Sequence, residues 1–196
     1  MSQIFTDLLD EKLALTLRAG GVGVLPTDTV YGLVACANSE NAIRKMYSLK
    51  QRELPPGTLI SASVDDLENL GFRHDDLRRI EQYWPNSLSV VLNATNVANY
   101  LKQQRKSLAV RIPANETLCE LLHRTGPLMT TSANAPKQPT STSVAQAKDY
   151  FGNLVDFYVD AGDIGERPPS TIVGFNKENK LILLREGAVP FSVINA

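Results

Sequence analysis

The sequence predicts a mixed α/β (α+β) fold in which helices flank a twisted, partly antiparallel sheet. Short apolar runs rich in β-formers alternate irregularly with amphipathic segments, which is typical of strands interleaved with helices. The last two runs, residues 171–175 and 181–185, are separated by only five residues and predict a hairpin across the turn sequence NKEN. No repeat, linker or low-complexity tract interrupts the 196 residues, so we expect residues 1–196 to form a single domain.

Periodicity and breaker residues define the individual elements. The first predicted helix covers residues 2–19, where apolar residues recur every fourth position from Phe5 to Leu17 and a Gly20-Gly21 pair ends the pattern. The remaining predicted strands lie at about residues 22–25, 58–62, 88–92, 107–112, 127–131 and 157–160, and the remaining helices at about 39–49, from 63, 75–83, 116–124 and 144–151.

Composition excludes several classes of protein. With 43% hydrophobic residues the chain can bury a full core, and a net charge of −1 argues against coating nucleic acid or an anionic membrane through bulk charge. The cysteines, Cys36 and Cys119, stand in no CxxC pair, and the two histidines are too few for a histidine-rich metal site. The N-terminus has no signal-peptide layout, and no run of about 18 apolar residues occurs. We expect a soluble, cytoplasmic protein without a membrane partner.

The segment from Gly20 to Leu33, GGVGVLPTDTVYGL, places short polar side chains directly after a buried strand. Pro26 stops the strand because it has no N–H for a sheet ladder, and Thr27, Asp28 and Thr29 follow. Such a tip can hold binding groups over the edge of a sheet. The alternative is an ordinary turn in which the hydroxyls cap the local backbone.

Polar residues also stand at other predicted strand ends. These are Arg111, Ser132, Asn134, Ser170, Thr171 and Arg185, with Lys50 and Arg52 after a helix. Arginines suit carboxylate or phosphate recognition, and hydroxyls and amides can orient a small ligand. Without a histidine or paired carboxylates, the set favours positioning and electrostatic stabilisation over acid–base work. Each residue also has a structural alternative: Lys50 and Arg52, for example, could complement the negative end of the preceding helix.

The chain lacks the common nucleotide and hydrolase signatures, including GxxxxGK[ST], a complete GxGxxG and GxSxG. Seven other motifs resemble the YrdC/TsaC family of threonylcarbamoyl-adenylate synthases and occur in the family's order. They are PTDTVYGL (26–33), KQR (50–52), WP (84–85), SLAVRIP (107–113), TSAN (131–134), PST (169–171) and LLREG (183–187). Together they cover the chain from Gly20 to Gly187, and the resemblance is therefore specific.

The resemblance implies a YrdC-like sheet around a large central cavity, in a short form that consists of the catalytic domain alone. It implies a nucleotidyltransferase that makes threonylcarbamoyl-AMP and pyrophosphate from L-threonine, bicarbonate and ATP, with Mg²⁺ carried by ATP and no metal site of the protein's own. The product would feed a downstream transferase complex that forms N6-threonylcarbamoyladenosine (t6A) at position 37 of tRNA. By the same resemblance, L-threonine is held by Thr27, Arg111, Ser132 and Ser170. ATP is held by Lys50, Arg52, Ser107, Asn134, Thr142 and Arg185. The catalytic residues among them are Lys50 and Arg52.

The chain departs from the family pattern at three places. Glu53 stands where a proline usually follows KxR, Pro85-Asn86-Ser87-Leu88-Ser89 replaces PGPxT, and Pro136-Lys137 replaces a Ser-Gly pair. These departures keep open a paralogue with a different carboxylate substrate. An RNA-binding or ribosome-associated module on the same fold, including weak tRNA binding, is the other alternative, although the near-neutral charge speaks against it.

Overall fold

The computed structural model describes residues 1–50 and 56–194. In chain order its elements are β1 (Gln3–Phe5), α1 (Glu11–Arg18), β2 (Val22–Pro26), β3 (Tyr31–Cys36), α2 (Glu40–Leu49), β4 (Thr58–Ile60), α3 (Val64–Asn69), α4 (His74–Arg78), a 3₁₀ turn (Glu81–Tyr83), β5 (Leu88–Asn93), α5 (Asn99–Lys102), β6 (Ser107–Arg111), α6 (Glu116–Thr125), β7 (Leu128–Ser132), α7 (Val144–Phe151), β8 (Phe157–Val159), β9 (Thr171–Phe175), β10 (Leu181–Arg185) and α8 (Phe191–Ile194).

The strands of the described chain form one ten-stranded sheet in the order β1-β8-β2-β3-β7-β4-β6-β5-β9-β10. The pairs β1·β8, β2·β8, β4·β6 and β5·β9 are parallel, and the other five are antiparallel. The predicted mixed sheet is confirmed, and β9 and β10 form the predicted hairpin. The order brings β3, β7, β4 and β6, which are distant in sequence, side by side at the centre.

Each face of the sheet carries its own apolar core, because alternate residues of a strand point to opposite faces. On one face Val34 and Cys36 of β3 pack with α1 and α6, through residues such as Leu13 and Leu121. On the other face Leu33 and its neighbours pack with residues of α2, α3, α4 and α7. The helices therefore cover both sides of the sheet, as the sequence predicts.

Two sequence predictions are corrected. The predicted helix over residues 2–19 begins only at Glu11, where the Asp10 side chain caps it, and residues Gln3–Phe5 form the edge strand β1. Phe5 is buried among the same residues as Leu13, so its apolar spacing fits a strand equally well. The sequence reading also missed β3, which starts at Tyr31 immediately after the polar tip. No helix in the described part of the chain has the length and apolarity needed to cross a membrane.

Candidate functional site

A cavity of about 300 Å³ opens above the central strands β3, β7, β4 and β6. Its floor consists of small residues, among them Gly32, Thr58, Ala109 and Thr130, which are brought together by strand register. A Cβ added at Gly32 would come within 2.5 Å of the Thr130 Oγ1 atom. The close approach of neighbouring strands therefore requires glycine at position 32, and the small floor leaves room for a ligand.

Five of the residues singled out from the sequence line this cavity. They are Thr27, Arg111, Ser132, Ser170 and Arg185. They come from β2's tip, the end of β6, the end of β7, the residue before β9 and the end of β10. The sheet thus brings together the complete set implied for L-threonine and one residue of the set implied for ATP.

The Thr27 hydroxyl organises the turn at the strand tip. It donates to the Val30 carbonyl oxygen at 2.6 Å and accepts from the main-chain N–H groups of Thr29 and Val30, each at 3.2 Å. The Thr29 hydroxyl lies 3.1 Å away and also lines the cavity. The turn alternative considered from the sequence therefore describes the local bonding, and the same turn places both threonines on the cavity wall.

Arg111 forms a buried ion pair with Asp28. Its Nη2 donates to Asp28 Oδ1 at 2.8 Å, and the two side chains are only 4% and 3% exposed. Burial lowers the pKa of Arg111, and the charge and hydrogen bond of Asp28 oppose that shift. Within the described chain the buried Arg111 Nε has no hydrogen-bond partner. A buried donor without a partner costs free energy. Nη1 makes only a long contact of 3.4 Å with Ser89 Oγ, so a hydrogen bond from Nη1 to a ligand carboxylate would displace little.

Ser170 lies between Arg111 and Arg185 on the wall of the cavity. Its Oγ lies 2.9 Å from Ser89 Oγ, which in turn accepts a long contact of 3.4 Å from Arg111 Nη1. Arg185 Nη2 donates to the Ser170 carbonyl oxygen at 2.7 Å. The pKa of Arg185 is lowered, first by burial and then by the positive charge of Arg111. The two guanidinium groups are close enough to make this wall attractive to anions.

Lys50 is almost completely buried beside the cavity. Its Nζ donates to the Ser132 carbonyl oxygen at 2.8 Å and to the main-chain and side-chain oxygens of Asn134, both at 2.6 Å. The Asn134 Oδ1 atom also accepts from Ser132 Oγ at 2.7 Å. In this arrangement the ammonium group holds the turn after β7, and it must exchange some of these bonds to contact a phosphate.

A second cavity of about 430 Å³ adjoins the first at Val30. Thr142 lines it, together with Gln146, Asp149 and Arg167. The Thr142 main-chain N–H donates to Gln146 Oε1 at 2.9 Å, which fixes the segment at the start of α7. Thr142, which the resemblance implies for ATP, is therefore separated from the threonine set and lines a neighbouring cavity that shares Val30 with the first.

Of the described residues in the implied ATP set, only Arg185 and Thr142 line a cavity, whereas Lys50, Asn134 and Ser107 do not. Ser107 is exposed at the start of β6, on the same face as Ala109 and Arg111 but four residues before Arg111, or about 13 Å along the strand. Arg52 lies outside the described residues, as does Glu53.

Sequence reasoning missed the residues that hold the cavity wall in place. Asp28 was noted as part of the polar tip but was given no role, and Ser87 and Ser89 were noted only as departures from a motif. The available signal was a carboxylate between two threonines after a buried strand, since such a charge needs a partner. Its partner could not be identified from sequence because Arg111 is 83 residues away.

Within the described residues, no group of three or more His, Cys, Asp or Glu side chains could hold a metal ion. The polar side chains at and beside the cavity carry hydroxyls, an amide, two guanidiniums, an ammonium group and the Asp28 carboxylate. These groups can bind a carboxylate, orient a small polar molecule and offset the charge of phosphates.

Comparison with known proteins shows the family to which the chain belongs. The model of the Sua5/YciO/YrdC family, described as "Telomere recombination", matches residues 15–187. The threonylcarbamoyl-AMP synthase of Pseudoalteromonas translucida is 34% identical over 170 residues, which are 81% of this chain and 89% of that protein.

Two solved structures share the fold. Sua5 of Pyrococcus abyssi, solved in complex with L-threonine, superposes with a TM-score of 0.84 at 28% identity over 99% of this chain and 59% of that chain. The present chain thus spans about three fifths of that protein. YciO of E. coli superposes with a TM-score of 0.81 at 26% identity, covering 97% of this chain and 98% of that one.

Proposed function

The chain belongs to the Sua5/YciO/YrdC family, and from that premise we propose that it is an L-threonylcarbamoyladenylate synthase acting through a single domain, residues 1–196. The observation that carries the proposal is the convergence of all four residues implied for L-threonine on one cavity. The similarity to Sua5, which has been solved with L-threonine, supports the same ligand for this cavity.

In this proposal Arg111 pairs with the amino-acid carboxylate. Its Nη1 is the donor for that role, because Nη2 is already bonded to Asp28, Nε is buried, and Nη1 makes only a long contact of 3.4 Å with Ser89 Oγ. The hydroxyls of Ser132 and Ser170 line the same cavity and orient the rest of the amino acid. Thr27 shapes the wall through its turn and presents its side chain to the ligand.

ATP occupies the space beside the threonine cavity, with its phosphates toward Arg185 and Lys50. Asn134 and Thr142 contribute to its binding from the turn after β7 and the start of α7, and Arg52 and Ser107 are assigned to ATP by the resemblance alone. Mg²⁺ accompanies the ATP phosphates as part of the substrate.

The reaction joins two anions, and charge neutralisation is therefore its main requirement. The threonine amine forms a carbamate with bicarbonate, with loss of water, and a carbamate oxygen then attacks the α-phosphorus of ATP while the bond to pyrophosphate breaks. Lys50, Arg52 and Arg185 offset the phosphate charge as pyrophosphate leaves. Holding amine and bicarbonate together favours carbamate formation without a dedicated general base.

The product is a mixed anhydride that carries an activated threonylcarbamoyl group. It is consumed by a downstream transferase complex that transfers this group to N6 of an adenosine in tRNA, to give t6A. Among residues 1–50 and 56–194, no observation favours RNA binding as a second function.

The proposal is tested by following carbon from bicarbonate into the nucleotide product. Incubation with ¹⁴C-bicarbonate, L-threonine and Mg·ATP is expected to yield a labelled adenylate, separable by chromatography, that is absent without threonine. A labelled product that forms equally with another amino acid would indicate a different substrate, and the absence of any labelled nucleotide would overturn the proposal.

A further inference from the structure

Asp28 contacts Arg111 without being one of the residues that line the cavity. Its carboxylate is 3% exposed, so it is shielded from solvent and from direct contact with a ligand in the space above. A buried carboxylate needs partners for both oxygens, because burial of an unpaired charge costs several kcal/mol. The partners of Asp28 therefore show what it does.

Each oxygen of this carboxylate has a different partner. Oδ1 accepts from Arg111 Nη2 at 2.8 Å, and Oδ2 accepts from Ser87 Oγ at 2.9 Å. Ser87 is itself fixed before β5, because its N–H donates to Asn86 Oδ1 at 2.8 Å and its carbonyl accepts from the Thr171 N–H at 3.2 Å. The carboxylate is thus a bridge between the turn before β5 and the end of β6.

This bridge determines which donors of Arg111 remain for a ligand. Asp28 occupies Nη2, Nε is buried without a partner among the described residues, and Nη1 makes only a long contact of 3.4 Å with Ser89 Oγ. Nη1 is therefore the terminal nitrogen that remains for a ligand, and because arginine binds carboxylates through a planar fork, a rotation of the guanidinium plane would misplace it. Asp28 also opposes the lowering of the Arg111 pKa by burial, and so helps to keep the side chain charged.

We propose that Asp28, held by Ser87, is a positioning residue that orients the Arg111 guanidinium toward the carboxylate of the amino-acid substrate. The inference rests on the proposed function, since it takes the threonine carboxylate as the ligand of Arg111. Ser87 stands at a proline position of the PGPxT motif, and proline has no hydroxyl to donate, so the bond to Asp28 is a feature of this chain's own turn.

The test compares four variants, Ser87→Ala, Ser87→Thr, Asp28→Asn and, as a control for loss of an unrelated hydroxyl, Ser48→Ala. Ser48 lies on α2, where its exposed hydroxyl bonds only to the Lys45 carbonyl among the contacts described. For each variant we would measure kcat, the KM for L-threonine, the KM for ATP, the affinity for L-threonine alone by calorimetry and the melting temperature.

We expect Ser87→Ala to raise the threonine KM about fivefold, the loss expected for one hydrogen bond, while the ATP KM changes by less than about twofold. Asp28→Asn raises the threonine KM by about tenfold or more, because the charge that fixes Arg111 is gone. Ser87→Thr restores the hydroxyl and stays near wild type, and Ser48→Ala matches wild type. Calorimetric affinities for threonine follow the same order.

A threonine KM unchanged in both Ser87→Ala and Asp28→Asn, with melting temperatures near that of the wild type, would overturn the positioning role. Equal increases in the KM values of threonine and ATP, in proportion to lost stability, would also overturn it, since they indicate a purely structural role. If Asp28→Asn does not fold, Ser87→Ala decides alone, because it leaves the ion pair in place. Wild-type protein that neither binds nor uses threonine would instead reject the proposed function, and this inference with it.

Discussion

The Lys50 Nζ lies 2.6 Å from both the main-chain oxygen and the side-chain oxygen of Asn134. A lysine that the sequence assigns to phosphate binding thus also fixes the turn after β7. The buried ammonium group is a structural element of the site before any ligand binds, and its removal has two consequences that can be measured separately.

Lys50→Ala is therefore expected to abolish most adenylate formation and to lower stability. The sequence alone predicts loss of activity without unfolding; the structure adds a cost of about 1–3 kcal/mol, because buried oxygens around Nζ lose a charged donor. Turnover and urea denaturation of Lys50→Ala would be measured beside Lys45→Ala, which removes a partly exposed lysine from the same helix. Near-normal turnover in Lys50→Ala would remove this residue from the mechanism.

Arg111→Lys separates charge from geometry at the threonine site. The lysine keeps a cation beside Asp28 but lacks the second terminal nitrogen, Nη1, so we expect the threonine KM to rise about tenfold or more, equivalent to at least about 1.4 kcal/mol. The ATP KM should change little. Arg124→Lys, at an exposed ion pair with Glu120, is the matched control, and an unchanged threonine KM in Arg111→Lys would refute the role of Arg111.

The sequence predicts which residues line the cavity better than it predicts their hydrogen-bond partners. The family resemblance selected Thr27, Arg111, Ser132 and Ser170, and the sheet brings them to one cavity because they lie at strand ends. The partner of Asp28 and the direction of Lys50 could not be predicted, because both depend on contacts between residues more than 80 positions apart.

Local sequence patterns also explain the errors in the predicted secondary structure. The apolar residues near the N-terminus fit a helix by their spacing, but the Asp10 cap starts the helix late and Phe5 belongs to a strand. Strand β3 was missed because it is buried on both faces and therefore shows no polar alternation, and no breaker separates it from the tip.

Gly187 is expected to tolerate no side chain. A Cβ there would overlap the Pro169 carbonyl oxygen and lie 2.7 Å from the Ser170 carbonyl group, so the Pro169–Ser170 segment would have to move. We expect Gly187→Ala to lower stability by about 1–3 kcal/mol, as overpacking does, and to weaken threonine binding through Ser170. Gly174→Ala is the control, because its Cβ would meet only the flexible end of Leu184 at 3.1 Å. Similar melting temperatures and threonine affinities for the two variants would contradict the argument.

We expect the buried thiol of Cys36 to make the folded protein less stable at alkaline pH. Burial raises the pKa of this thiol from 9.0 to about 11, with a smaller opposing effect of Arg18. Because the folded pKa is the higher one, the neutral thiol stabilises the fold below pH 9 and this contribution, at most about 3 kcal/mol, is lost as the pH rises from 9 through 11. Denaturation of wild type and Cys36→Ala at pH 8.5 and 10.5 measures it: the wild type should lose more stability across that interval, and parallel losses would contradict the assignment.

Pyrophosphate release from Mg·ATP, with L-threonine and bicarbonate each added and omitted in turn, tests the central claim most directly. The proposed function predicts release only when both are present, because the carbamate that attacks the α-phosphorus contains atoms of each. Release without threonine or without bicarbonate would contradict the proposed reaction, and folded protein that releases no pyrophosphate under any combination would reject the synthase activity altogether.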